Sequence, residues 1–318
     1  MVFVIEAFGK LIASVTDGDV RRALLAGNGL DSPAQAAYNT DYVARYEPPV
    51  SAGGPGEEAR NGLGAYPVLD SSGNLMWVDV PTNDKSELSR ENTVVIMAGG
   101  KGLRLRPLTE QTPKPMLLVA GKPILQHLIE NLREQGFTDI VISLNYLGNQ
   151  IESFFENGTK FGVSIRYLRE TNPMGTAGAL SLLKQPVVSP IVMLNGDLVI
   201  SANLAKMLDF HEEKNATITV GAKVIETTIP FGVLSTKGHV IEGIEEKPSR
   251  RDLVNAGVYV LDTDTLSEIS ASGITDMPDF ILDHVPTRRV VAFAMHETWA
   301  DLGHPEDLKK AQDLLGSG

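Results

Sequence analysis

Beyond residue 92, short runs of apolar residues alternate with segments whose apolar positions recur every three or four residues. The runs are typical of buried strands and cover 94–97, 140–144, 164–168 and 191–194. Helical spacing is clearest between Pro123 and Gly136, where one face carries Ile124, Leu125, Leu128, Ile129 and Leu132. Strands that alternate with helices predict βαβ units, so we expect an α/β domain with a Rossmann-like, mostly parallel sheet. Ligands of such sheets bind at the carboxyl ends of the strands.

The amino-terminal part of the chain follows a different pattern. Two short apolar strands flank a turn at Gly9, and a similar strand–turn–strand recurs about sixty residues later around 71–74. A short helix lies between them, opened by Thr16 and Asp19 and stopped by Gly27. We therefore expect three parts, a small α+β module (1–86), a polar linker (87–92) and a larger domain (93–318).

Composition narrows the class of protein. The chain has 318 residues, of which 42% are hydrophobic and 21% charged, and its formal net charge is −12. This negative charge argues against nucleic acid or an anionic membrane surface as a partner. The chain has no cysteine, which removes disulfides and thiolate chemistry and fits a reducing cytoplasm. Because we find neither a basic leader nor a run long enough to span a bilayer, we expect a cytoplasmic protein.

The first strand of the larger domain runs into a glycine-rich, basic segment, VVIMAGGKGLRLRPLTEQTPKPM, at residues 94–116. Its three glycines are followed by three cations, in the order Gly99, Gly100, Gly102, Arg104, Arg106 and Lys114. Because glycine lacks a Cβ, phosphate oxygens can approach such a backbone closely. The segment predicts a phosphate-binding loop, with an ordinary βα turn and surface arginines as the alternative.

Two common phosphate-binding motifs do not fit this segment. A dinucleotide fingerprint needs G-x-G-x-x-G, and Leu105 stands where the third glycine would follow Gly100 and Gly102. A Walker loop needs a lysine followed by Ser or Thr, whereas the lysines of this segment precede Gly102 and Pro115. The segment therefore indicates another class of nucleotide-binding protein.

The same segment closely resembles the signature of sugar-phosphate nucleotidyltransferases, the pyrophosphorylases that make nucleotide sugars. Their pattern is roughly A-G-G-x-G-T-R-L-x-P-L-T followed by P-K-P. This chain matches it at Ala98, Gly99, Gly100, Gly102, Arg104, Leu105, Pro107, Leu108, Thr109, Pro113, Lys114 and Pro115. It departs at Leu103, where the family usually has Thr. The resemblance implies a GT-A-like fold and Mg²⁺-dependent transfer of a nucleotidyl group from an NTP to a sugar 1-phosphate, giving an NDP-sugar and pyrophosphate.

Two aspartates are candidate metal ligands. Asp197 follows an apolar strand and a glycine, and a carboxylate at a strand tip is a hard oxygen ligand suited to Mg²⁺. Capping of the next turn is the alternative role for this side chain. The resemblance assigns the metal to Asp197 and to Asp301, because the segment from Trp299 to Leu308 resembles the family pattern W-x-D-x-G-x-P-x-D-L.

The resemblance also assigns roles to other residues. It assigns nucleotide binding to Ala98, Gly99, Gly100, Gly102, Glu170, Gly175 and Thr176. Sugar binding falls to Gly232, Glu246, Lys247 and Asn255, with Lys247 on the sugar phosphate. Arg104 and Lys114 are assigned to the charge of the leaving pyrophosphate, so these two and Lys247 are the expected catalytic cations. Taken alone, a Glu–Lys pair at a strand end is usually an exposed salt bridge.

Glu170 bears on the choice of base, because the resemblance places it against the base edge. A carboxylate only accepts hydrogen bonds. Guanine offers two adjacent donors, whereas uracil and thymine place one donor between two acceptor oxygens. This chemistry favours GTP and leaves uridylyl or thymidylyl transfer as the alternative.

The amino-terminal module resembles a partial CBS-domain pair. In that family a Thr/Ser-x-x-Asp pair, here Thr16 and Asp19, contacts adenosine ligands, and the second copy keeps no such pair. An adenine nucleotide is therefore a candidate ligand, with a helix cap and a structural or dimerising role as the alternatives. Both resembled families commonly self-associate, which implies a homo-oligomer.

Two other classes of function stay open, a nucleotide-sugar sensor without turnover and an adenine-nucleotide energy sensor. The charged residues expected of an enzyme are all present, namely Arg104, Lys114, Asp197, Lys247 and Asp301. Their presence favours an enzyme.

Overall fold

The computed structural model describes residues 1–46, 65–79, 89–183, 186–269 and 273–316. The chain divides into two units. One consists of Met1–Ser86 with Val224–Asp252, and the other of Glu87–Lys223 with Leu253–Gly318. The segment Val224–Asp252, which the sequence analysis placed with the larger domain, thus groups with the amino-terminal module.

The amino-terminal module is built from short strands and one helix. Its elements are β1 (Val2–Ile5), β2 (Leu11–Val15), α1 (Asp17–Leu25), β3 (Arg45–Tyr46), β4 (Tyr66–Leu69) and β5 (Leu75–Asp79). Strands β1 and β2 pair in antiparallel fashion, as do β4 and β5, while β3 runs parallel to β4. Both predicted strand–turn–strand units and the predicted helix are confirmed.

The two hairpins of this module are repeats of each other. Leu75 and Gly73 lie 64 positions after Leu11 and Gly9. The Leu11 N–H donates to the Gly73 carbonyl (3.0 Å), and the Leu75 N–H donates to the Gly9 carbonyl (2.9 Å). The pairing register also shifts at matching places, between Val4 and Ile5 in one copy and at the equivalent step in the other. This reciprocal contact confirms the internal repeat.

The rest of the chain alternates strands and helices. The strands are β6 (Val94–Met97), β7 (Leu118–Val119), β8 (Lys122–Pro123), β9 (Asp139–Leu144), β10 (Ser164–Arg169), β11 (Ile191–Asn195), β12 (Leu198–Ile200), β13 (Ile218–Thr228), β14 (Gly232–Lys237), β15 (Val240–Glu246), β16 (Ser249–Leu261), β17 (Val290–Met295) and β18 (Trp299–Asp301). The helices are α2 (Ile124–Glu134), α3 (Gly148–Phe155), α4 (Gly175–Gly178), α5 (Leu204–Glu213), α6 (Met277–His284) and α7 (Pro305–Gly316).

Within the described residues the central sheet has seven strands in the order β10-β9-β6-β11-β16-β13-β17. Strand β6 runs parallel to β9 and β11, and β9 runs parallel to β10. Strand β16 runs antiparallel to β11, which the alternation of elements did not predict. The predicted α/β fold with a mostly parallel sheet is confirmed.

Burial of apolar side chains in the core explains why strand β6 and helix α2 form where they do. Val94, Val95 and Ile96 are fully buried in β6, at the centre of the sheet. The five apolar residues predicted for one face of α2 are all buried, and Pro123 precedes the first turn of this helix, where its missing N–H costs nothing. Hydrophobic burial on both faces therefore fixes β6 between its neighbours.

Part of the predicted linker, at 87 and 88, lies outside the described residues. Residues 89–92 of the linker are described, and two of them contact other residues of the larger unit. The Arg90 guanidinium lies 3.0 Å from an Asp209 carboxylate oxygen, and the Asn92 amide donates to the Pro190 carbonyl at 2.9 Å. The larger unit therefore includes this end of the linker.

The unit that contains the amino-terminal module also contains the hairpin β14–β15. Arg251, in β16, donates to an Asp31 carboxylate oxygen at 2.6 Å and to Glu226 at 3.1 Å. A Cβ on Gly29 would lie 2.6 Å from the guanidinium carbon of Arg251, so this glycine leaves room for the contact. These contacts join the module to the strands that lead into the hairpin.

Candidate functional site

The carboxyl ends of the parallel strands converge on one cavity of the larger unit. Because Met97 pairs with Asn195 on one side and with Ser143 on the other, the residues that follow β6, β9 and β11 lie together. The cavity has a volume of about 570 Å³. Its lining includes ten of the predicted site residues, Ala98, Gly99, Gly100, Gly102, Arg104, Lys114, Glu170, Gly175, Thr176 and Asp197. The glycine-rich segment thus lies at the sheet edge where alternation predicted a ligand site.

Glycine is required at positions 99 and 102 of the loop because a side chain would not fit there, whereas position 100 has free space around it. Gly102 has φ +59, and a Cβ there would lie 3.0 Å from Thr109 and 3.2 Å from Lys114. A Cβ on Gly99 would lie 2.9 Å from a Glu170 carboxylate oxygen. By contrast, a Cβ on Gly100 would meet nothing within 4 Å, so the backbone at this position is open to a ligand.

Lys114 lies between the two aspartates predicted to bind a metal. Its ammonium nitrogen is 2.5 Å from Asp197 Oδ2 and 3.5 Å from Asp301 Oδ1. The two carboxylate oxygens are therefore within about 6 Å of each other. Asp301 reaches this position because Leu198, next to Asp197, pairs with Asp301 between β12 and β18.

The donor set around Lys114 fits a divalent cation. Two carboxylate oxygens from the same edge of the sheet already converge on one positive charge. Hard cations such as Mg²⁺ take oxygen ligands and commonly share them between carboxylates and phosphates. Asp197 and Asp301 are the residues that could hold such an ion, in exchange for Lys114.

Glu170 occupies the end of the cavity on the β10 side. Its Oε1 accepts a hydrogen bond from the Ser143 hydroxyl (2.8 Å), and its Oε2 accepts one from the Met174 N–H (3.2 Å). Both oxygens are thus held by neutral donors while the residue lines the cavity. The sequence analysis singled out Glu170 but gave no signal for Ser143.

The segment after Glu170 packs closely on the start of α6. Gly175 has φ +80, and a Cβ there would lie 2.5 Å from the Thr275 carbonyl oxygen. The Thr176 N–H donates to Asp276 Oδ1 at 3.0 Å, and the Thr176 hydroxyl accepts from the Met277 N–H at 2.8 Å. Asp276 lines the cavity, and the sequence analysis missed it.

The segment around Asp301 also positions Arg104. A Cβ on Gly303 would lie 3.3 Å from an Arg104 guanidinium nitrogen, so the side chain passes directly over this glycine. The Trp299 indole N–H donates to the Ala256 carbonyl at 2.8 Å and anchors the other end of the segment. Arg104 and Gly303, which both line the cavity, thus bring the glycine-rich segment next to the segment that carries Asp301.

The residues predicted to bind the sugar fall in both units. Asn255 belongs to the larger unit, where its Oδ1 accepts from the Gly257 N–H at 3.0 Å. Gly232 and Glu246 belong to the other unit, as a directly opposed pair at the open end of the β14–β15 hairpin. Lys247, in that same unit, has φ +48, an uncommon conformation for a residue with a side chain.

Thr16 and Asp19 of the amino-terminal module form a helix cap. The Thr16 N–H donates to Asp19 Oδ2 at 2.7 Å, and the Asp19 N–H donates to the Thr16 hydroxyl at 3.3 Å. This reciprocal arrangement is a capping box, which satisfies the first backbone donors of α1. Adenine-nucleotide binding by this pair stays a prediction, as does the CBS resemblance.

These observations define an α/β nucleotide-binding domain, with a glycine-rich loop open to phosphates and an acidic pair beside it. Comparison with known families matches residues 93–317 as a nucleotidyl transferase. The chain therefore belongs to the nucleotidyl transferase family. Enzymes of this family typically use a divalent metal.

Individual relatives agree with this assignment. A mannose-1-phosphate guanyltransferase of Yarrowia lipolytica is 32% identical over 221 residues, which cover 67% of this chain and 61% of the relative. A mannose-1-phosphate guanylyltransferase of Mycobacterium tuberculosis is 31% identical over 233 residues, which cover 70% of this chain and 64% of the relative. The chain thus spans less than two thirds of the length of these curated relatives.

Solved structures show the same fold. HddC from Yersinia pseudotuberculosis superposes with a TM-score of 0.57 at 26% identity, covering 70% of this chain and 99% of that one. Its complex with GMP-PN gives a TM-score of 0.55 over the same shares. In the part of the chain that the structure describes, every helix is too short or too polar to cross a membrane.

Proposed function

We propose that this protein transfers a guanylyl group from GTP to a sugar 1-phosphate, releasing pyrophosphate and a GDP-sugar. The observation that carries the proposal is the placement of Glu170, a hydrogen-bond acceptor, in the same cavity as the glycine-rich loop, Asp197 and Lys114, the lysine that also contacts Asp301. The names of the relatives support the reaction and make mannose 1-phosphate the first sugar phosphate to test.

In the proposed reaction, an oxygen of the sugar phosphate attacks the α-phosphorus of GTP in line, and pyrophosphate leaves. The chain's task is to position two anions and to offset their repulsion, so no protein nucleophile is needed. The loop backbone and Arg104 would hold the triphosphate. Asp197 and Asp301 would bind Mg²⁺, which supplies charge neutralisation at the α-phosphate when bound.

In the proposed reaction Lys114 interacts first with the two aspartates and then with the phosphates of the nucleotide. In the structure it neutralises Asp197 and Asp301. With Asp197 and Asp301 holding the ion, the Lys114 ammonium group would stabilise the charge of the leaving pyrophosphate. The same lysine would therefore serve the site before and after nucleotide binds.

Glu170 would select the base. The Ser143 hydroxyl and the Met174 N–H each use one lone pair of its carboxylate, which leaves acceptor capacity on both oxygens. The guanine N1–H and 2-amino group are adjacent donors that match two such oxygens. A pyrimidine would instead bring a carbonyl oxygen against the carboxylate.

The test is a pyrophosphate-release screen of GTP, ATP, UTP and dTTP against a panel of sugar 1-phosphates with Mg²⁺. We expect turnover with GTP, and loss of turnover by orders of magnitude in Asp197→Ala. Asp209→Ala, which removes an exposed carboxylate of the same unit, is the matched control and should retain activity. Preference for UTP or dTTP would overturn the guanylyl assignment, and GDP-sugar binding without any turnover would instead identify a sensor.

A further inference from the structure

The carboxylate of Glu170 has little freedom to move. Its two oxygens accept hydrogen bonds from different parts of the chain, Oε1 from Ser143 in β9 and Oε2 from the Met174 backbone. The backbone of Gly99 lies so close to Oε1 that a Cβ there would approach it to 2.9 Å. A carboxylate held at both oxygens and packed on one side presents its remaining lone pairs in fixed directions.

Ser143 supplies the more rigid of these two donors. It is fully buried within β9, where its partner across the sheet is Met97, and its carbonyl accepts the Ala98 N–H at 3.0 Å. The Met174 donor, by contrast, lies outside the sheet, directly before α4, and makes the longer hydrogen bond. The hydroxyl of Ser143 is therefore fixed by the sheet, while its full burial places it behind Glu170 rather than in the cavity.

We infer that Ser143 is a positioning residue that sets the preference for guanine by fixing the Glu170 carboxylate. This inference rests on the proposed function. With the hydroxyl in place, the carboxylate accepts the N1–H and the 2-amino group of guanine together. Without it, Oε1 of the half-buried Glu170 side chain loses its donor, and the carboxylate turns to recover one from elsewhere.

The experiment compares GTP with ITP, whose base lacks only the 2-amino group. Loss of one hydrogen bond to a charged acceptor corresponds to roughly a tenfold to hundredfold change, so the wild type should prefer GTP by about that ratio of kcat/KM. In Ser143→Ala we expect this ratio to fall at least fivefold, which is less than the loss of one whole charged hydrogen bond would give. The change should appear mainly as a higher KM for GTP, with a smaller rise for ITP, which offers only the N1–H.

Thr93→Val is the matched control. The Thr93 hydroxyl is also buried and donates to a carboxylate, Asp139 Oδ2, at 2.7 Å, but it precedes β6 at the opposite edge of the same sheet. The substitution removes the same kind of hydrogen bond, together with the one that the Thr93 hydroxyl accepts from the Val188 N–H at 3.1 Å, and should leave the ratio of GTP to ITP unchanged. If Ser143→Ala does not fold, Ser143→Cys keeps the size and weakens the donor, and should lower the ratio in the same direction.

The outcomes separate the inference from the proposed function. A wild type that does not use GTP overturns the proposed function and the inference with it. A wild type that prefers GTP, with a ratio of GTP to ITP that stays the same in both Ser143 variants, leaves the function intact and overturns the positioning role. Equal loss of activity with GTP and ITP would mean a structural role only, and would also overturn it.

Discussion

Replacing Lys114 with Met removes the positive charge that lies between Asp197 and Asp301. Its ammonium nitrogen is 2.5 Å from one carboxylate and 3.5 Å from the other. In the absence of nucleotide, a divalent ion must displace this group before it can bind both acids. We therefore expect Lys114→Met to bind Mn²⁺ more tightly than the wild type does.

The size of the effect follows from the burial of the three side chains. The Lys114 side chain is 8% exposed, whereas those of Asp197 and Asp301 are 28% and 45% exposed. A hydrogen bond between charged groups contributes about 1.5–3 kcal/mol, and solvent screening of the half-exposed acids reduces this to about 1–2 kcal/mol. Displacement of Lys114 should thus weaken metal binding about 5-fold to 30-fold in the wild type.

The assay is a titration of nucleotide-free protein with Mn²⁺, followed by the electron paramagnetic resonance signal of the free ion. Lys101→Met is the matched control, because Lys101 is an exposed cation that lines the same cavity. Its removal should change the Kd for Mn²⁺ by no more than about 2-fold. If Lys114→Met binds Mn²⁺ no more tightly than the wild type, the idea that the lysine competes with a metal ion is wrong.

Three further predictions concern other contacts. Gly303→Ala should lower kcat/KM by no more than about threefold, because a Cβ would lie 3.3 Å from the flexible end of Arg104 and shift it only slightly, and steady-state kinetics should show no such effect in an Arg104→Ala background. Asp276→Ala removes the acceptor of the Thr176 N–H, so the KM for nucleotide should rise about 3-fold to 10-fold, whereas Asp276→Asn should stay near the wild type. Burial lowers the pKa of His211 below 6.5, so the unfolded chain takes up this proton first as the pH falls. The melting temperature should therefore drop more between about pH 7.5 and pH 5 in the wild type than in His211→Gln.

The strands and helices that the sequence predicted well are those with strong local patterns. Strands β6, β9, β10 and β11 are apolar runs, and α2 repeats its apolar positions over three turns. Strands β12 and β18 gave no such signal, since each has three residues and pairs with a partner about a hundred positions away. This pairing is what brings Asp301 beside Asp197, so the sequence could indicate both acids but not their geometry.

The site shows the same division between local and long-range information. The glycine-rich loop and Glu170 carry recognisable local chemistry. Ser143 lies within the run 140–144, whose other residues are all apolar, and a small buried residue there looks like part of the core. Asp276 precedes a helix with proline in its first turn, which signals a helix start. Its contact with Thr176 spans one hundred positions of the chain, and no local pattern reports it.

The contact between the two amino-terminal hairpins has a consequence for how this part of the chain acquires its structure. Each copy leaves one amide of its second strand, at Leu11 or Leu75, to be satisfied by a carbonyl of the other copy. Each half therefore supplies an acceptor for the other. A fragment that ends after the first copy would leave the Leu11 amide without the Gly73 carbonyl, and one such hydrogen bond contributes about 0.5–1.5 kcal/mol. The duplication thus couples the stability of one half to the presence of the other.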